Sequence, residues 1–182
     1  MLFRSLDVAR LEAGFILLEV DYIGADKAVI PSQRYSPYEI SLGWTVDLKK
    51  DNFVGHEALR EESRLGPMRQ IVGLEIDLQA YENLFQKAGL APHIPLTAWR
   101  GGVPVYRDGK QVGQATTGGW SPALKKYVAL ATLQRGNTEI GSRVVLEVTV
   151  EHQRKTVDAK VAKLPFFDPP RKRAVFANGE KN

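Results

Sequence analysis

Cysteine is absent from all 182 residues. That excludes a disulfide framework, a thiolate metal site and a cysteine nucleophile. Histidine is scarce: His56, His93 and His152 stand far apart, without the local spacing of a metal site. No apolar run approaches the ~20 residues that cross a bilayer. Met1-Leu2-Phe3-Arg4 leads to Asp7 and Arg10 with no apolar stretch of the secretory kind. The expectation is a cytoplasmic chain with no membrane partner. Nucleic-acid-binding motifs are missing as well, so the formal charge of +4 and the pI near 9.3 do not by themselves point to DNA or RNA. Much of that excess gathers in Arg171-Lys172-Arg173 and Lys181.

What is present is ordinary for a folded protein. Hydrophobic residues make up 43% and charged residues 25%, which suits one domain, or one domain with a smaller attached piece. Residues 5–13 read as a helix, capped by Ser5 and stopped by Gly14, with Leu6, Ala9 and Ala13 on one face. An apolar strand-like run, Phe15 to Val20, follows. A polar connection with Pro31 and Pro37 then leads to a short helix at Tyr38–Leu42, entered through Ser36 and Pro37. Trp44–Leu48 alternates as a strand would, and Gly55–Glu62 reads as a second helix.

After Pro67 the chemistry changes. Ile71–Ile76, Val103–Tyr106, Gln111–Thr116, Tyr127–Ala131, Val144–Val150 and Lys155–Val161 are strand-like and rich in β-branched residues. The stretch from Asp77 to Arg100 reads as loop. Asp108-Gly109 is a hairpin turn. Many short strands with glycine-bearing turns predict a small antiparallel barrel or sandwich. Roughly 65 residues of helices and isolated strands before it are marginal as an independent core.

Particular residues sharpen this. Arg10-Leu11-Glu12-Ala13-Gly14 resembles an R-x-E-A-G segment. Ser36-Pro37-Tyr38-Glu39 with Leu42-Gly43-Trp44, then Asn52-Phe53-Val54-Gly55-His56-Glu57-Ala58-Leu59, resemble the P-x-E…L-G-W and D-F-I-G-[RK]-E-A-L segments that follow it in the same family. Gly101–Val105, Val112–Pro122, Ala129-Leu130-Ala131 and Ala162–Phe166 continue in order, the second against V-G-x-V-T-S-G-x-x-S-P. Single segments are weak, but the ordered set is specific. On these residues the chain resembles the C-terminal half of the folate-dependent aminomethyltransferases of the glycine cleavage T-protein family.

The resemblance implies an α+β fold: the end of an α/β folate-binding body over residues 1–67, a small antiparallel β-barrel over 68–168, and a basic tail over 169–182. It implies one-carbon transfer from an amine or methylated substrate to tetrahydrofolate. The family's catalytic aspartate and pterin-holding glutamate match no segment here, so this portion is expected to be inactive alone. Its expected partners are folate and either an N-terminal half-protein or a second copy of itself.

The resemblance places Arg10 at the folate site, where a guanidinium would bond a carboxylate or pterin carbonyl; the other reading is a helix-surface arginine paired with Asp7 or Glu12. Trp44 and Tyr38 are candidates for an aromatic wall, or else core anchors. Arg171 stands near a position where relatives carry a ligand-contacting tyrosine, and its cluster could meet a polyglutamyl tail. Leu18 stands where the family often has tyrosine, and His56 replaces the usual basic residue. A non-catalytic folate-binding or protein-interaction module is the alternative function. Relatives acting in tRNA modification carry K-G-C-[FY]-x-G-Q-E where this chain has Lys50–Glu57, and Asn52 removes their cysteine.

Overall fold

Six strands close on themselves in the order β1-β4-β3-β2-β5-β6, every pairing antiparallel. They are β1 (Arg69–Ile76), β2 (Trp99–Arg107), β3 (Lys110–Ser121), β4 (Lys126–Gln134), β5 (Arg143–Val150) and β6 (Gln153–Ala162). The computed structural model describes residues 2–95 and 97–172, with side chains described from residue 5 to 171. Arg173 and Lys181 of the basic tail lie outside them. The fold is α+β, with the antiparallel barrel expected from the strand pattern.

Alternation explains the barrel interior. Tyr127, Ala129, Ala131 and Leu133 of β4 point inward with Leu74 and Ile76 of β1 and Val157, Ala159 and Val161 of β6. The opposite face of β4 is buried too. Val128 and Leu130 pack outside the barrel against Leu11, with Ile16, Leu164 and Phe166 around them. Leu11 belongs to helix α1 (Leu2–Glu12), which lies across β3 and β4. One strand therefore carries two cores, and its run of seven buried residues reflects this.

Two hairpins turn through left-handed backbone. Asp108 and Gly109 take φ of 49° and 74° between β2 and β3. Glu151 and His152 take 49° and 61° between β5 and β6, where neither residue is glycine.

The segment from Asp77 to Arg100 is not all loop. It holds helix α3 (Leu78–Lys87), whose Asp77 cap accepts from Ala80 N at 3.0 Å. Tyr81 is buried, and Leu84 and Phe85 lie against the barrel core, so α3 covers one end of it. Asp77, Leu78, Tyr81 and Phe85 carry the helical signal, but Pro92 and Pro95 downstream dilute it.

Before Pro67 the structure is less regular than the alternation suggests. Phe15–Val20 and Trp44–Leu48 form no strands; isolated bridges join Leu18 to Tyr22 and Ile23 to Arg34, and Gly43–Thr45 is a 3-10 turn. A strand needs a neighbour, and the barrel's strands are all paired among themselves. Tyr38–Leu42 makes a single turn and no helix, although Ser36 and Glu39 close the reciprocal cap: Ser36 N donates to Glu39 Oε2 at 3.1 Å and Glu39 N to Ser36 Oγ at 3.2 Å. Ser41, at φ 61°, ends the turn, and Glu39 O accepts from Ile71 N of β1 at 2.8 Å. Helix α2 (His56–Leu65) forms as expected, with no buried residue.

Candidate functional site

The site is built where α1 stops. Gly14, at φ 67°, terminates the helix: Phe15 N donates to Arg10 O and Gly14 N to Leu11 O, both at 3.0 Å. That reversal brings Phe15 O back over the Arg10 side chain, and the next turn delivers Asp21. Asp21 N donates to Leu17 O, and Leu17 N returns a bond to Asp21 Oδ2, each at 2.8 Å.

Asp21 is buried and fully satisfied. Its Oδ2 accepts from Arg10 Nη1 at 2.7 Å and from Leu17 N; its Oδ1 accepts from Thr116 Oγ1 at 2.6 Å and Thr117 Oγ1 at 2.7 Å. A carboxylate out of water needs such a set, because an unpaired buried charge costs several kcal/mol, on the order of 3–5. Thr116 and Thr117 sit on β3, so the cluster joins the α1 segment to the barrel.

Arg10 is held from three sides. Nη1 donates to Phe15 O at 2.8 Å and to Asp21, and Nη2 donates to Thr117 Oγ1 at 3.2 Å. The side chain is 10% exposed, yet its Nε is buried without a hydrogen-bond partner. Asp7 Oδ1 stands 3.9 Å from that Nε, beyond bonding reach, and is itself engaged by Arg100 Nη2 at 2.5 Å. Arg10 is thus not paired at the helix surface with Glu12. Glu12 serves another joint: its Oε1 accepts from Ser121 Oγ at 2.6 Å and Ala123 N at 3.3 Å.

These contacts explain two motifs at once. Arg10 and Glu12 of the R-x-E-A-G segment meet Thr117 and Ser121 of the Thr-Thr-Gly-Gly-Trp-Ser-Pro segment, more than one hundred residues away. Asp21, Thr116 and Thr117 were not singled out from sequence. The available signal was an acid directly after the apolar run Phe15–Val20, where burial demands a cationic partner.

The other expected residues lie elsewhere. Tyr38 is half-buried, its ring against the backbone of Gly43, so closely that a Cβ there would collide. Trp44 is 83% exposed, so nothing in the described chain buries it. Arg171 is exposed in the 3-10 turn Pro170–Lys172. No contact gathers these three with Arg10 in one pocket. Tyr35 does take part in a cluster: the Arg69 guanidinium lies 3.7 Å over its ring, and Arg69 Nε is 3.2 Å from Glu39 Oε1.

A cavity of about 350 Å3 opens at the barrel end beside α3, lined in part by Glu75, Asp77, Lys125, Lys126, Arg143 and Asp158. Its charges are partly spent: Lys126 pairs with Glu75 at 2.8 Å, and Asp77 caps α3. Inside the barrel mouth, Trp99 Nε1 donates to Tyr127 OH at 2.9 Å and Tyr81 OH to His93 O at 2.9 Å. Burial, with Tyr127 beside it, pushes the Tyr81 hydroxyl up to about 12, and burial raises Tyr127. Among the described residues no cluster of three or more His, Asp or Glu could hold a metal, and no helix is long and apolar enough to cross a membrane.

Residues 86–168 match the family described as the glycine cleavage T-protein C-terminal barrel domain. An aminomethyltransferase of Bacillus velezensis is 36% identical over 75% of this chain and 32% of its own length. One from Prochlorococcus marinus (strain MIT 9313) is 32% identical over 91% of the chain and 37% of its own length. The crystal structure of glycine cleavage system aminomethyltransferase T from Bartonella henselae superposes with a TM-score of 0.65 at 26% identity, covering 88% of this chain and 37% of that one. The chain spans about a third of the length of the curated relatives it matches. The barrel is therefore a C-terminal barrel domain of the glycine cleavage T-protein family, and the chain is similar over most of its length to a C-terminal portion of an aminomethyltransferase.

Proposed function

We propose that this chain is the C-terminal portion of a tetrahydrofolate-dependent aminomethyl- or methyltransferase, cytoplasmic, and inactive in one-carbon transfer by itself. In this reading residues 1–67 finish the folate-binding body, 68–168 form the barrel that covers it, and 169–182 are a tail. The observation that carries the reading is Arg10: a guanidinium nine-tenths buried, matching the family's arginine, with its Nε left unbonded. Tetrahydrofolate offers such a donor both pterin carbonyl and carboxylate oxygens.

Trp44 and Arg171 enter this reading as outlying contacts. The exposed indole can stack on an aromatic ring, and Arg171 can attract an anionic glutamate tail, an attraction that salt would screen. Tyr38 packs against Gly43, next to Trp44. The donor of the one-carbon unit is an amine or a methylated compound.

Titration calorimetry with tetrahydrofolate tests the proposal. Weak binding that Arg10→Ala abolishes is expected; binding of equal strength in that variant would remove Arg10 from the site. Turnover by the chain alone with methylamine-type donors would overturn the claim of inactivity.

A second reading has its own support. Among the described residues, nine of the twelve exposed large apolar side chains precede Pro67, including Phe15, Val29, Trp44 and Val54. Such exposure suits protein contact, with an N-terminal half-protein or a second copy as occupant.

A further inference from the structure

We infer that Asp21 and Thr117 are positioning residues for the ligand-binding arginine, so that strand β3 of the barrel sets the aim of Arg10; this rests on the folate reading of Arg10 above. Three Arg10 N–H bonds are spent within the protein, on Phe15 O, Asp21 Oδ2 and Thr117 Oγ1, and all three go to the Nη atoms. Nε is left over, buried and unpartnered. A guanidinium is rigid and planar. Fixing both Nη atoms therefore fixes the direction of the Nε edge.

Asp21 is what makes the arrangement directional. Oδ2 takes Arg10 and Leu17 N, and Oδ1 takes the two threonine hydroxyls, so the carboxylate cannot rotate without losing bonds at both oxygens. Thr117 works in both directions: its hydroxyl donates to Asp21 and accepts from Arg10 Nη2, closing a ring of three groups. One charge neutralises the other inside the protein. Two N–H groups are left without a protein acceptor, the second on Nη2 and the buried Nε–H, with Asp7 Oδ1 3.9 Å from Nε and itself bonded to Arg100; these are the donors left for a ligand.

A purely structural latch would need Arg10 and Asp21 only as a pair. A positioning role demands more: removing Asp21 must harm the ligand contact only through Arg10. The full chain is labelled on arginine side chains and followed by NMR, first without ligand and then with tetrahydrofolate. Wild type shows a single slowly exchanging Arg10 Nε–H and distinct Nη signals. Asp21→Asn averages these signals and weakens tetrahydrofolate binding about tenfold, the scale of a hydrogen bond to a charged group. Arg10→Ala and the double variant Arg10→Ala/Asp21→Asn bind equally poorly, because the two residues act on one contact.

Thr117→Val covers the case in which Asp21→Asn does not fold. It averages the Nη signals and weakens binding a few-fold, and Thr117→Ser restores both. A folded Asp21→Asn or Thr117→Val chain with unchanged Arg10 signals, or with unchanged affinity where Arg10→Ala is impaired, overturns the inference. Full affinity in Arg10→Ala, or no binding by wild type, overturns the folate reading instead; the ligand-free spectra still decide whether Asp21 and Thr117 fix the guanidinium.

Discussion

At Asp21 four donors converge on one carboxylate, while at Tyr81 and Tyr127 burial holds two phenols neutral. The phenols make a pH prediction. With the Tyr81 hydroxyl near 12 in the fold against 10 in the open chain, the unfolded state loses its proton first. Native stability is therefore complete below pH 10 and falls as pH rises toward 12. Spectroscopic titration of tyrosinate should show these phenols ionising together with unfolding, and Tyr81→Phe should remove the last step. Coincidence of all tyrosines with the ordinary value would contradict it. Arg10 was singled out from sequence because its motif is contiguous. Asp21 was not, because its role exists only after residues nearly a hundred positions apart meet. Trp44 shows where residue identity falls short: an aromatic signals burial on average, and here nothing in the described chain covers it.

Strands were read well where alternation had a partner to serve. β1, β3, β5 and β6 were all anticipated: β5 and β6 alternate with one face in the barrel, while β1 and β3 carry β-branched and small residues buried on both faces over part of their length. Periodicity failed for Phe15–Val20 and Trp44–Leu48, where apolar residues alternate without neighbouring strands. Helix α3 was missed for the opposite reason: its cap and stripe are sound, but the surrounding prolines made the whole segment read as loop. Two element-scale predictions follow from backbone geometry. His152→Gly should raise stability by about 1 kcal/mol, since it relieves left-handed strain in the β5–β6 turn. Gly113→Ala should cost about 2 kcal/mol, because its Cβ would meet the Thr132 carbonyl oxygen and Leu133, backbone atoms that cannot step aside. Chemical denaturation of both variants checks the pair; equal midpoints would refute the geometry.

Taken whole, the molecule is lopsided. Leu11 is the one buried apolar residue before Pro67 among those described, whereas twenty follow it, nineteen on the barrel strands and Tyr81 on α3. The apolar side chains left open in the first part predict concentration-dependent self-association in light scattering, reversed by Phe15→Ser with Val29→Ser; a strictly monomeric chain would count against a docking face. The doubly buried strand β4 has a further consequence. Since α1 supplies the outer cover of Val128 and Leu130, and Asp21 the acceptor for Thr116 and Thr117, the barrel cannot be excised cleanly at residue 68. A severed barrel would show a naked strip of β4 and two buried hydroxyls deprived of their anion. Joined to its leading helix, the same barrel is sealed, so the natural seam of this protein does not follow its strand boundary.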